Sequence, residues 1–175
     1  MLAPPRPYEA APPLRTLVIQ HHKENLRKCS LTPIRGRRDL EILVPRAGPS
    51  GYAPIEIDGG ILLRVDAPPL CRDDRAILRA SLAHRLILID CNWIKVPKLL
   101  GLLRPRGVLA GRSLPPGIRT AYPRRSKIYE DPADGLATVE ALAAAYAILG
   151  FREPGLLAGY PWARKFLELN PDLFS

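Results

Sequence analysis

The sequence predicts an α/β fold: a parallel sheet covered by helices, followed by a mainly helical C-terminal part. Three observations predict it. Four short runs, residues 14–19, 40–44, 61–65 and 86–89, are apolar almost without interruption. Uniformly apolar runs suit strands buried on both faces, whereas a half-exposed strand would alternate. A helical stripe precedes the fourth run, and a long alanine-rich helical stretch occupies residues 138–149. A chain of 175 residues is long enough to bury one sizeable core.

Taken in order, residues 1–13 hold five of the 20 prolines and predict a flexible tail, so the body begins at Leu14. The runs 14–19, 40–44 and 61–65 are the first three strands. Asp73 is placed as the N-cap of a helix reaching Ala83, with Ile77, Leu78 and Leu82 as its core stripe. That helix delivers the strand at 86–89. After Asp90 the breakers multiply, among them Pro97, Gly101, Pro105, Gly107, Gly111, Pro115 and Gly117, and predict loops and short helices around a shallow cleft. The helix at 138–149 is apolar on most faces and is closed by Gly150, so it should be buried. Two shorter helices complete the chain.

Composition narrows the function classes. The 26 Lys+Arg against 17 Asp+Glu give a net charge of +9, which favours an anionic partner. Between Cys91 and Tyr129 there is no acidic residue, while Lys95, Lys98, Arg104, Arg106, Arg112, Arg119, Arg124, Arg125 and Lys127 are all basic. This segment is a candidate phosphate-binding face. Cys29, Cys71 and Cys91 are scattered and, with His21, His22 and His84, show no metal-ligand spacing, so neither a disulfide framework nor a metal site is expected. No apolar run reaches the ~18 residues of a membrane span, and prolines stand where a signal peptide would be apolar, which predicts a soluble cytoplasmic protein. Glycine-rich nucleotide loops and a nucleophile elbow are absent, which argues against NAD enzymes, P-loop NTPases and α/β-hydrolases.

Ligands of open α/β sheets bind beyond the carboxyl ends of the strands. Here that position is Asp90-Cys91-Asn92-Trp93. A carboxylate and an indole three residues apart can face one cleft, the acid to bind or take a proton and the ring to cover an apolar or cationic group. On spacing alone, a helix-capping Asp90 and a core-packing Trp93 are the alternative.

Several separated elements together resemble the 18S rRNA aminocarboxypropyltransferase family of ribosome biogenesis. They are His22, Arg27-Lys28-Cys29-Ser30, Asp90-Cys91-Asn92-Trp93, Arg112-Ser113-Leu114-Pro115, Leu136-Ala137-Thr138-Val139-Glu140-Ala141 and the stretch from Trp162 to Asn170 that carries Phe166, Leu167 and Leu169. Each is short, but their shared order from about Leu14 to the end is specific. The stretch Thr120-Ala121-Tyr122-Pro123-Arg124-Arg125-Ser126-Lys127 departs from that family's loop. The longer spacing that follows, and Asp90 with Trp93, resemble the related DTW-domain family, which modifies uridine in tRNA.

The resemblance implies a SPOUT-like knotted sheet and use of S-adenosylmethionine as donor of its 3-amino-3-carboxypropyl group to a uridine-type base of structured RNA, ribosomal RNA first and tRNA second. It divides the chain into an α/β cofactor-binding domain at 14–118 and a helical domain at 119–175 that completes the cofactor cleft. Carried over residue by residue, it makes Ser30, Asp90, Trp93, Leu114 and Thr138 cofactor contacts, with Asp90 either orienting the cofactor or acting as the base. The basic stretch that follows Asp90 and Trp93 directly then gains a purpose: Lys95, Lys98, Arg112, Arg119, Arg124, Arg125 and Lys127, extended by Arg27 and Lys28, are the expected RNA contacts, and Tyr122 is the aromatic residue expected to stack a base. A monomer is expected. The competing readings are a SPOUT-type RNA methyltransferase and a non-enzymatic RNA-binding assembly factor.

Overall fold

The computed structural model describes residues 14–81, 83–123 and 135–175. The expected tail at 1–13, Leu82 of the helical stripe, and Arg124, Arg125 and Lys127 lie outside the described residues. The strands are β1 (Arg15–Gln20), β2 (Leu40–Leu43), β3 (Ala47–Gly48), β4 (Gly51–Tyr52), β5 (Ile55–Ile57), β6 (Gly60–Leu63), β7 (Arg85–Asp90), β8 (Leu103–Pro105) and β9 (Leu109–Arg112). The helices are α1 (Arg75–Ala80), α2 (Val96–Leu100), α3 (Thr138–Ile148), α4 (Ala163–Leu169) and α5 (Pro171–Phe174).

Five strands form one sheet in the order β2-β1-β7-β6-β9, every pair parallel. The runs were uniformly apolar because both faces are covered. Val18, Ile61, Leu86 and Leu88 face a core shared with α1 and α3, while Leu17, Ile19, Leu62 and Ile87 face a second core that includes Ile55, Ile57 and Leu103. That second layer is built on the small parallel pair β5–β8, with Leu100 of α2 packed against it. Residues of α3 share one core cluster with β1, β6 and β7. Tyr146 ties α3 to β1 by hydrogen bonds with Thr16 Oγ1 at 3.1 Å and Leu14 O at 3.0 Å, and burial pushes its phenol up to about 12.

Three expectations need correction. The third strand runs over Gly60–Leu63 and ends before Val65, which is 63% exposed. The helix expected from Asp73 to Ala83 is shorter, a 3-10 turn over Arg72–Asp74 and then α1. Asp74 stands at the N-cap position of α1, while its carboxylate reaches back to accept the Cys71 N–H at 2.9 Å and closes the 3-10 turn; at the other end the Ser81 hydroxyl donates to Leu78 O at 2.9 Å. The segment after Asp90 is not all loops and short helices, because it contains β8 and β9, and β9 closes one edge of the main sheet.

Glycine is required where β6 begins. Gly60 has φ of +127°, and a Cβ there would lie 2.3 Å from the carbonyl oxygen of Arg85. Closure of α3 follows the sequence. Gly150 at φ +74° lets its own N–H reach Ala147 O and the Phe151 N–H reach Tyr146 O, both at 2.9 Å, which is a Schellman ending.

Candidate active site at the carboxyl end of the sheet

Segments distant in sequence meet where β1 and β7 end. Gln20 and Asp90 are the last residues of those strands and are register partners. Gln20 Nε2 donates to Asp90 Oδ2 at 2.6 Å, and Thr138 Oγ1, at the start of α3, donates to Oδ1 at 2.5 Å. The Cys29 thiol donates to Oδ2 at 3.6 Å. Burial, then the adjacent Asp90 carboxylate, pushes this thiol above its usual range and keeps it a donor. Arg35 Nη2 donates to Gln20 Oε1 and so turns the amide's NH2 towards Asp90. A carboxylate accepts about four hydrogen bonds, and these three donors leave Asp90 with capacity for one more.

The Ser30 hydroxyl accepts the N–H of Val139 at 3.3 Å, so the 29–30 turn caps α3 from across the fold. Thr138 is the first helical residue, after an extended Ala137. Its amide stands at the positive end of an 11-residue helix, where a ligand carboxylate is favoured. Trp93 opens a 3-10 turn, Trp93–Lys95, three residues after Asp90. It is half-buried, and its indole has no ring partner among the described residues. Leu114 lies in the loop that leaves β9, packed against the main core. Cys91 is pushed up to about 12, first by burial and then by Glu24 and Asp90.

An α-amino-α-carboxylate needs a carboxylate for its ammonium and N–H donors for its carboxylate. Asp90 beside the α3 N-terminus supplies that donor and acceptor set, so these residues fit the tail of an S-adenosylmethionine-type ligand.

Beyond Asp90 the β1–β7 ladder continues with the His21 N–H on Asp90 O at 3.0 Å. The His21 ring stacks on His22 at 4.4 Å, His22 Nδ1 is 3.0 Å from the Tyr52 hydroxyl, and Lys98 Nζ lies 4.8 Å above the Tyr52 ring. Burial first, then Lys95 and the other neighbouring cations, lowers the His21 pKa.

The basic run divides when it folds. Arg112 is held by Asp74 at 2.8 Å and Arg106 by Glu56, so the acids absent from the segment are supplied by other elements. Arg27, Lys28, Lys95, Lys98 and Arg119 have no ion-pair partner among the described residues. Arg27 and Lys28 lie on the wall of a groove of about 480 Å³ that also takes in Ser30, Tyr122, Tyr160 and Trp162.

Sequence reasoning missed Gln20 and Glu140. Glu140 is wholly buried and accepts from Thr120 Oγ1 at 2.6 Å, Ala121 N at 2.9 Å, Tyr160 Oη at 3.0 Å and Ala137 N at 3.1 Å. Burial and that carboxylate raise the Tyr160 pKa. The signal for Glu140 was its place as the acid in an otherwise apolar helix. Gln20 carried no signal beyond its position at the end of a strand. Asn170, the last residue of the C-terminal signature, holds the 119–121 loop through Arg119 N and O at 2.8 and 2.9 Å.

Comparison with known proteins places the chain in a family. A curated 16S rRNA aminocarboxypropyltransferase of Methanopyrus kandleri is 39% identical over 105 residues, 59% of this chain and 56% of that protein. The chain therefore spans about half the length of that relative. The SAM-dependent rRNA:acp-transferase Tsr3 from Vulcanisaeta distributa superposes with a TM-score of 0.65 at 26% identity, over 91% of this chain and 80% of the other. The family described as ribosome biogenesis protein, C-terminal, matches residues 61–175. With that match running over well more than half of its length, the chain belongs to the ribosome biogenesis protein C-terminal family.

Proposed function

We propose that this chain transfers the 3-amino-3-carboxypropyl group of S-adenosylmethionine to a uridine-type base of ribosomal RNA and releases methylthioadenosine. The observation that carries the reading is the convergence on Asp90 and the α3 N-terminus of residues 20, 29–30, 90 and 138, of which 29–30, 90 and 138 belong to elements that carry the resemblance. The two aminocarboxypropyltransferases to which the chain is similar support it.

When bound, S-adenosylmethionine supplies a sulfonium that activates three attached carbons. The chain's contribution is orientation, which decides the carbon exposed to the nucleophile. Asp90 offers its remaining acceptor site to the ligand ammonium, and Thr138 offers its N–H to the ligand carboxylate. Held already by three donors, Asp90 suits positioning better than collecting a proton from a base. Trp93 covers the methyl side, with a cation–π contribution to the sulfonium, and the Leu114 loop lies along the adenosine. Arg27, Lys28, Lys95, Lys98 and Arg119 bind RNA phosphates, with Arg124, Arg125 and Lys127 assigned the same role from sequence. Arg112 is committed to Asp74 and contributes to the fold first. The SPOUT-like knotted path belongs to this reading, supported by the insertion of β7 between two earlier strands. One copy of the chain assembles the whole Asp90 cluster, which supports a monomer, and a ribosomal substrate supports a cytoplasmic enzyme.

The test is mass spectrometry of the small-molecule product after mixing protein, S-adenosylmethionine and unmodified RNA split into ribosomal and transfer fractions. Methylthioadenosine with the ribosomal fraction is expected, and Trp93→Ala should lower its yield at least tenfold. Methylthioadenosine with the transfer fraction alone moves the substrate to tRNA. S-adenosylhomocysteine makes the protein a methyltransferase, and neither product makes it a binding protein.

A further inference from the structure

The groove lined by Arg27, Lys28, Tyr122 and Trp162 adjoins the Asp90 cluster at the Cys29–Ser30 turn. Its walls come from the 27–33 segment on one side and from residues 122–123 and 159–162 on the other. The Tyr122 hydroxyl donates to Lys28 O at 2.8 Å and ties the two sides together. Trp162 stands edge-on to Tyr122, with centroids 5.3 Å apart and planes at 88°, and is braced by Tyr160 at 5.8 Å. Pro33, Pro123 and Pro161 add further rigid apolar surface. The volume, about 480 Å³, falls in the ~300–1,000 Å³ range of small-ligand sites.

Among the described residues the charge on this groove has one sign: no acidic one lines it, and Arg27 and Lys28 are exposed with no ion-pair partner. An apolar aromatic floor with cations only at its rim matches an unpaired nucleotide, whose base has a π-face and whose phosphate is an anion. The groove and the Asp90 cluster share the Cys29–Ser30 turn: Cys29 reaches Asp90, while both residues also line the groove. A strand of RNA occupying the groove therefore passes directly beside the reacting centre.

We propose that this groove is a second RNA subsite, which stacks one unpaired base next to the modified uridine and pairs its phosphate with Arg27 and Lys28. The proposal rests on the aminocarboxypropyl-transfer reading for the identity of the RNA but not for the binding itself. It makes the substrate a single-stranded loop rather than a helix, because a paired base could not enter.

The test uses the full chain and a short ribosomal RNA hairpin loop carrying 4-thiouridine on either side of the target uridine. Ultraviolet cross-linking followed by peptide mapping is expected to place one flanking nucleotide on Tyr122 or Trp162. The double variant Arg27→Ala and Lys28→Ala, both surface residues, should reduce the salt dependence of log K by about 0.7, the value for one single-strand phosphate contact, and leave S-adenosylmethionine affinity unchanged. Trp162→Ala should weaken RNA binding by about 5- to 150-fold, and Trp162→Phe should restore most of it, which separates stacking from folding. Cross-links confined to the His22, Tyr52 and Lys98 surface overturn the proposal. So does an unaltered salt dependence, or capture of a proline-rich peptide in place of the oligonucleotide. Absence of methylthioadenosine with cross-links retained at Tyr122 or Trp162 overturns the transfer reading and leaves the subsite standing.

Discussion

Glu140 brings a carboxylate into the interior without a basic partner among the described residues, and four donors surround it instead. Glu140→Leu would leave those donors unpaired, at about 1–3 kcal/mol for each that water cannot reach. We expect a loss of about 3 kcal/mol, read from the urea midpoint. His21 gives a pH dependence of definite sign. Its folded pKa is lowered, so the unfolded chain takes up the proton first. Its stabilising contribution is complete above the ordinary imidazole value of ~6.5 and is lost as pH falls from there towards the lower native value. His21→Asn should flatten the melting temperature across that interval. For Cys91 the sign is opposite. A thiol pushed up to about 12 favours the folded state below its ordinary range and loses that contribution as pH rises from ~8.5 towards 12. Alkylation at pH 8, mapped by peptide mass spectrometry, should modify exposed Cys71 ahead of half-buried Cys29 and Cys91.

At the scale of elements, the strands that could be read from sequence were those enclosed by the fold. Leu17, Val18, Ile19, Leu86, Ile87 and Leu88 are all buried, and their uniform apolarity announced it. The strand β9 was not legible, because Leu-Ala-Gly-Arg is short, half-buried throughout and ends in a charge. Its stability comes from pairing with β6, a contact between distant segments that no local window contains. For the site, Asp90 and Thr138 were legible through their motifs, whereas their joint hydrogen bond required the fold. The basic run misled because acidic partners for Arg106 and Arg112 came from elements far away in sequence. Gly60→Ala tests the close approach of β6 to β7. Left-handed strain of ~1–3 kcal/mol, together with a Cβ 2.3 Å from Arg85 O, should lower the denaturation midpoint more than Gly150→Ala does at the end of α3, where the nearest atoms belong to the Arg72 side chain.

For the whole molecule, the net charge of +9 overstates what an anionic partner can use, because several cations are already neutralised. On the proposed reading, the five candidate contacts Arg27, Lys28, Lys95, Lys98 and Arg119, which have no ion-pair partner among the described residues, give a loss of RNA affinity of roughly 100-fold between 50 and 200 mM salt, measurable by filter binding. The placement of β7 carries a different consequence. It lies between β1 and β6, both earlier in the chain, so the centre of the sheet is filled only after its flanks exist. Asp90 ends that strand, and one of its partners, Thr138, is made 48 residues later. Folding must therefore close long loops before the Asp90 cluster can form, which makes it slow. A nascent or half-folded chain has no complete site. On the proposed reading, donor binding thus reports that β7 has been seated between β1 and β6, and a destabilised variant should lose ligand affinity in proportion to its unfolded fraction.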